Sequence, residues 1–296
     1  MSQKRDTGHP ALKGLDIDVD SEPEPYFAQE PFAMLVLAFY CCVTLAAPAA
    51  LFTPQTANLA TDSPRYAIVS QISLSKKANQ VDGKFQIMED ARLTPRLRTK
   101  LWGTGGNDID EDPALSAFKQ KPLYNAQLRI LASDGTIAEA FPLERPLAKL
   151  GIARLYGDSR PTYLVTVDYS AGFGSYSGPI TMPVEVHDGH LQWLEAKDKA
   201  TGKKEKIEVM QSLKTIWKIT GFSSSGKKEI LEAKCRPNLT HPVFASKDPD
   251  IHTSDDDFIL VYTRYYYDGT QWMRAERRRA GFSEFEEGFP SRKLFP

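Results

Sequence analysis

A chain of 296 residues carrying 37 Lys+Arg against 38 Asp+Glu has the length for one large or two small cored domains, and its balanced charge excludes a dedicated nucleic-acid binder. Two of its cysteines stand side by side at Cys41 and Cys42, which leaves Cys235 alone in the remainder, so the body folds without an intrachain disulfide. No cofactor-binding motif is present, and no cofactor is expected.

Residues 1–30 set Lys4, Arg5 and Lys13 against Asp6, Asp16, Asp18, Asp20, Glu22, Glu24 and Glu30, with few apolar residues among them. Such a composition predicts a disordered acidic head. The stretch Phe32 to Phe52 follows without a single charge, and at about 1.5 Å per residue its helix would be about 31 Å long, the thickness of a bilayer core. Residues 31–52 therefore read as a transmembrane helix or uncleaved signal anchor. A cleaved signal is the competing reading, since Ala47-Pro48-Ala49 has the small-x-small form. The acidic flank argues against it, unless translation starts at Met34. Either way the body leaves the cytoplasm: residues 53–64 are a polar linker, and residues 65–296 an extracytoplasmic antiparallel β domain. The expected location is a bacterial inner membrane, crossed once by Phe32 to Phe52 with the body in the periplasm. The alternative is a secreted or periplasmic protein after signal cleavage.

Folded structure is expected from Arg65, where Tyr66, Ile68, Ile72 and Leu74 alternate as on a half-buried strand. Asp-Gly then recurs between alternating segments, at Asp82-Gly83, Asp134-Gly135, Asp188-Gly189 and Asp268-Gly269; this dipeptide supplies the positive backbone angles of a tight type I′ hairpin turn. Around Asp188-Gly189 the register is fully specified: His187 opposite His190, Val186 opposite Leu191, Glu185 opposite Gln192, Val184 opposite Trp193. One face is then apolar and the other polar. Around Asp134-Gly135, Leu128, Ile130, Ala132, Ile137 and Phe141 share a face on which Glu139 is the one discordant member. A two-residue loop at Asp268-Gly269 makes both faces of the last hairpin apolar, with Arg274, Arg277, Arg278 and Arg279 at its outer end, so this pair is expected to be central or covered on both sides. Ile207 to Ile219 suits a helix or a strand and is taken as mainly strand. The fold class is all-β, mostly antiparallel hairpins in a sandwich or packed sheets. Turn spacings of 52, 54 and 80 residues hint at a propeller, which the absence of any blade signature makes the lesser choice.

Three groups of residues invite a functional reading. Gly172 to Gly178 encloses Phe173, Ser175, Tyr176 and Ser177; it is neither a nucleophile elbow nor a phosphate loop, and it is the leading candidate for a contact loop. Glu185, His187 and His190 lie on the polar face of one hairpin, a donor set for a transition metal, weighed against ordinary polar residues at a hairpin tip. Asp108, Asp110 and Asp112 alternate oxygen ligands as a calcium loop does, but without the glycine and distal glutamate of an EF-hand. The closing stretch from Gly281 is expected to lie over the sheet, burying Phe282, Phe285, Phe289 and Phe295.

These features favour a membrane-anchored binding protein of the bacterial envelope without catalytic activity, holding a protein partner, as an immunity protein would. An envelope hydrolase using a histidine, a carboxylate or a metal near residues 185–190 is the alternative from a different class. A structural component of an envelope assembly is the third.

Overall fold

The computed structural model describes residues 65–74, 82–103, 115, 118, 120–170, 176–221, 226–240 and 254–296. The head, the stretch Phe32 to Phe52 and the linker lie outside the described residues. Among the described residues no helix is long and apolar enough to cross a membrane. Residues 52–296 form one compact unit, mostly β, built from three sheets.

The first sheet is a four-stranded antiparallel meander of β1 (Tyr66–Leu74), β2 (Gly83–Asp90), β3 (Gln127–Ala132) and β4 (Ile137–Pro142). Before β3 the chain forms a short helix, α1 (Pro95–Leu101), whose first turn is capped by the Thr94 hydroxyl accepting from Leu97 N and primed by Pro95. The second sheet contains β5 (Ala148–Ala153), β6 (Thr162–Asp168) and β7 (Pro179–His187). β8 (His190–Trp193) and β11 (Val209–Met210) both pair with the outer edge of β7. The third sheet runs β10 (Lys204–Lys206), β9 (Glu195–Asp198), β15 (Trp272–Ala280), β14 (Phe258–Tyr267), β13 (Lys228–Pro237), β12 (Thr215–Gly221); only the β9–β15 pairing is parallel. The chain passes from the second sheet to the third at Leu194, between β8 and β9.

Side-chain alternation puts a core on each side of the second sheet. Tyr163, Val165, Val184 and Val186 pack against Phe85, Ile87, Leu128 and Ile130 of the first sheet. On the opposite face Val209 lies across from Thr181, and with Leu155, Leu194 and Ile207 it meets Ile230, Tyr265 and Trp272 of the third sheet. The far face of the third sheet, with Leu231, Ala233 and Tyr262, is covered by the closing segment through Phe295, Phe285, Phe289 and Leu294. β14 is thus central in its sheet and covered on both faces, as the doubly apolar pattern of the hairpin predicts, whereas its partner β15 is exposed from Arg277 to Ala280. The closing segment lies where its aromatics place it, except that Phe282 stays 37% exposed.

Buried and half-buried carboxylates tie these layers together. Glu89 on β2 accepts from Ala148 N of β5 at 2.9 Å and from Arg98 Nε of α1 at 2.8 Å. Glu139 on β4 faces the same core and accepts from Leu191 N of β8 at 2.8 Å. Glu229 on β13, almost fully buried, takes Arg264 Nε at 2.6 Å and Arg292 Nε at 2.5 Å, the latter from the closing segment.

The turn chemistry departs from the Asp-Gly rule in three of four cases. Asp188-Gly189 is a two-residue turn with φ of 52° and 83°, and its hairpin has the predicted register at every pair. At Asp268 the carboxylate accepts from Thr270 N and Gln271 N, so the loop holds four residues and Tyr267 pairs with Trp272, two residues from the expected register. Asp134 turns back on Thr136 in the same way, and a bulge lets Ile137 rather than Ala138 oppose Leu131, leaving Ile137 exposed. Gly83 is no turn residue: it opens β2 opposite Ala132, where a Cβ would stand 2.0 Å from the Leu131 carbonyl oxygen. In β1 a bulge at Val69 turns Val69 to the core and Ile68 outward, against the simple alternation.

Candidate functional site

The sequence candidates separate in space. Phe173 and Ser175 lie outside the described residues, as do Asp108, Asp110 and Asp112. Tyr176 and Ser177 are described, and Tyr176 is 42% exposed. Its hydroxyl is raised above the usual phenol range by partial burial first, then by the Cys235 thiol and the Glu284 carboxylate. Two residues on, Gly178 packs directly on the chain at Gln211 and Ser212, beside Leu213, where any Cβ would lie 1.8 Å from the Gln211 carbonyl oxygen.

Around this point several exposed apolar side chains gather. Leu213 is 55% exposed and precedes Lys214, whose carbonyl accepts from Cys235 N. Lys214 Nζ is 2.8 Å from Glu284 and 3.3 Å from the centre of the Phe282 ring, and Phe282 in turn packs edge-on to Phe258 at 5.0 Å. Phe258 pairs with Pro237, two residues before Leu239, which is 79% exposed. On the other side of Phe258 the Arg-rich end of β15 comes in, with Gly281 N bonded to the Phe258 carbonyl and Ala280 opposite Ile259. Tyr176, Leu213, Leu239 and Phe282 thus surround one end of the third sheet, rimmed by the exposed Arg236, Arg277, Arg278 and Arg279. Cys235 itself is buried, and burial pushes its thiol up, away from reactivity.

Glu185, His187 and His190 are on the predicted face but do not converge. His187 Nε2 lies 2.8 Å from Glu185 Oε2, whereas His190 Nδ1 turns to Glu139 Oε1 at 2.5 Å. Among the described residues no group of three or more His, Cys, Asp or Glu is arranged to hold a metal ion. Glu139 is the partner that reading the hairpin alone misses. Its signal was present as the one charged residue on an apolar face.

Glu185 also borders a cleft of about 260 Å³ between the second and third sheets, with Tyr156, Arg160, Glu195, Tyr267 and Trp272. Trp272 Nε1 donates to Tyr156 Oη at 2.9 Å, and Arg160 stacks on the Tyr156 ring at 4.2 Å. Burial, with the adjacent Glu185 carboxylate second, holds the Tyr156 hydroxyl far above the ordinary phenol range. Glu185 Oε1 is buried without a hydrogen bond of good geometry, close enough to Tyr156 for that influence to be felt. A second, more apolar groove of about 340 Å³ runs along Val167, Ile180, Met182 and Trp193 beside the end of β4.

No family model matches this chain, and neither a curated protein nor a solved structure matches it.

Proposed function

We propose that this chain is a membrane-anchored, extracytoplasmic binding protein of the bacterial envelope, which holds a protein partner and turns nothing over. The observation that carries the reading is the end of the third sheet where Tyr176, Leu213, Leu239 and Phe282 stand exposed within an arginine rim. Apolar side chains clustered inside a polar rim are the anatomy of a protein contact surface. The anchor in this reading is Phe32 to Phe52. A photoreactive benzophenone side chain at Tyr176 or Phe282 of the full-length membrane-borne chain is expected to give one discrete adduct in cell envelopes. The same group at Ile152, exposed on β5 and outside this patch, should give none. Absence of a discrete adduct from both patch positions would sink the proposal.

The hydrolase reading draws on a different observation, that Glu185 and Glu195 border one cleft with Tyr156 and Arg160. Two carboxylates flanking a cleft can divide acid and base roles. Turnover of a glycoside or ester by the full chain, abolished in both Glu185→Gln and Glu195→Gln, would favour it over simple binding.

A further inference from the structure

Among the described residues, the third sheet is open along half of one strand. β15 pairs with β14 over its whole length, from Tyr267 opposite Trp272 to Ile259 opposite Ala280. On its other side β9 covers only Trp272, Met273 and Arg274. The last ladder bond there runs from Lys199 N to the Arg274 carbonyl, after which the Asp198 carboxylate, accepting from Ala200 N and Thr201 N, turns the chain away. Beyond that point no described strand pairs with the outer edge of β15.

The directions of the edge groups follow from two bonds. Arg274 points its carbonyl outward, to Lys199; Gly281 points its N–H inward, to Phe258. Since a strand alternates the direction of its peptide groups, Glu276, Arg278 and Ala280 share the outward sense of Arg274, while Ala275, Arg277 and Arg279 share the inward sense of Gly281. Three residues therefore present N–H and C=O groups as a template for another strand.

The charge on this edge selects its occupant. Arg277, Arg278 and Arg279 are consecutive and exposed, with Glu276 the one acid of the open half. Arg278 forms an ion pair with Glu276 through Nε, and Arg277 gives one N–H to the Lys293 carbonyl; among the described residues Arg277 and Arg279 have no carboxylate partner. A second copy of β15 laid on the same edge would put arginines against arginines, which blocks self-pairing. An acidic strand meets the opposite situation, because its carboxylates fall beside guanidinium groups able to bind them in pairs.

We propose that the open edge of β15, from Ala275 to Ala280, receives an extended acidic segment of a partner protein as an added strand. This rests on the binding-protein reading above and specifies how the partner is held: main-chain bonds to Glu276, Arg278 and Ala280 give the ladder, and Arg277 to Arg279 give the preference for acid. The neighbouring patch around Phe282 continues the contact past the end of the strand.

The test uses the full chain in detergent and a labelled nine-residue peptide alternating valine with aspartate, followed by fluorescence anisotropy. A peptide alternating valine with lysine is the charge control. The aspartate peptide methylated on alternate backbone nitrogens is the ladder control. Ala280→Pro is the informative variant: it removes an outward N–H that β14 does not use and alters no charge. The aspartate peptide is expected to bind, and the lysine peptide not to. Affinity should fall about tenfold on backbone methylation or Ala280→Pro with Tm unchanged, and about tenfold or more in the Arg278→Glu, Arg279→Glu double variant. Failure of the aspartate peptide to bind would overturn the proposal. So would binding indifferent to methylation and to Ala280→Pro, which would reduce the edge to a nonspecific basic patch. If the peptide fails while benzophenone at Tyr176 still captures a discrete partner, strand addition falls and the binding-protein reading stands.

Discussion

Glu232 sits on β13 in the core between the second and third sheets, almost fully buried, with Oε1 accepting from Met210 N at 3.0 Å and Oε2 3.0 Å from Lys234 Nζ. Burial pushes its carboxyl above the ordinary value, and Lys234 and the Met210 N–H offset that only in part. A carboxyl raised in the folded state binds protons there more tightly than in the unfolded chain. Its contribution is therefore complete below about pH 4.5 and is lost as pH rises through the folded pKa. Glu232→Gln keeps the acceptor for Met210 and removes the charge, so it should stabilise the chain by about 1 kcal/mol at pH 8, with the gain vanishing towards pH 5. Thermal melts of both proteins across that range check the sign. His190 offers a surface counterpart. The hydrogen bond to Glu139, and its charge second, raise the imidazole above its usual value of about 6.5. The pairing is present below that value and fades as pH rises through the raised one. An NMR titration should find His190 above 6.5 and find Glu139→Gln returning it to the ordinary range; an unshifted His190 in the parent chain would mean that the contact does not persist in solution.

At the level of the element, the sequence is most legible where a turn and an alternation agree. Val184, Val186, Leu191 and Trp193 mark one face of a hairpin whose Asp188-Gly189 turn tolerates no other register, and every pair is where the pattern puts it. Legibility fails where a side chain rewrites the turn. Asp268 lengthens its loop by capping two amides, a choice that alternation cannot reveal because a shift of two residues leaves each side chain on the same face. The bulge at Val69 fails for the opposite reason, since one extra residue reverses the faces of everything before it. Gly83 misleads through its dipeptide. Its function is to let β2 approach the Leu131 carbonyl, which no residue with a Cβ permits. Gly83→Ala must force β2 and β3 apart at their paired ends and is expected to cost about 2 to 4 kcal/mol by urea unfolding. A glycine of mere turn convenience would cost about 1 kcal/mol or less.

Across the whole molecule the candidate site was less legible than the fold, because it is assembled from segments far apart in the chain. Tyr176, Leu213, Leu239 and Phe282 carry no common pattern, and Leu239 and Phe282 come to one end of the sheet because β13, β14 and β15 end together at Pro237, Phe258 and Ala280. The closing segment is part of that assembly, and it also stabilises the body. Phe295 is buried against Tyr262, their ring centres 5.4 Å apart, and Phe289 stacks on Phe295 at 5.5 Å. Glu229 fastens the segment from beneath by holding Arg292, while Arg264 reaches the Pro296 carbonyl at 3.1 Å. Removing residues 281 to 296 uncovers Leu231, Ala233 and Tyr262 and leaves Glu229 with Arg264 alone. At about 1.5 to 3 kcal/mol for each fully buried large apolar side chain, and less for the half-buried ones, the loss should be about 4 kcal/mol. For a body of this size that lowers Tm by about 10 °C. Glu229→Ala should give a smaller fall, about 2 kcal/mol, because Arg292 is partly exposed and regains water when released. The two changes share one contact, so their combination should cost less than the sum of the parts. Full additivity in that double-mutant comparison would mean that Glu229 supports the sheet through Arg264 alone and that the segment is held by its aromatics.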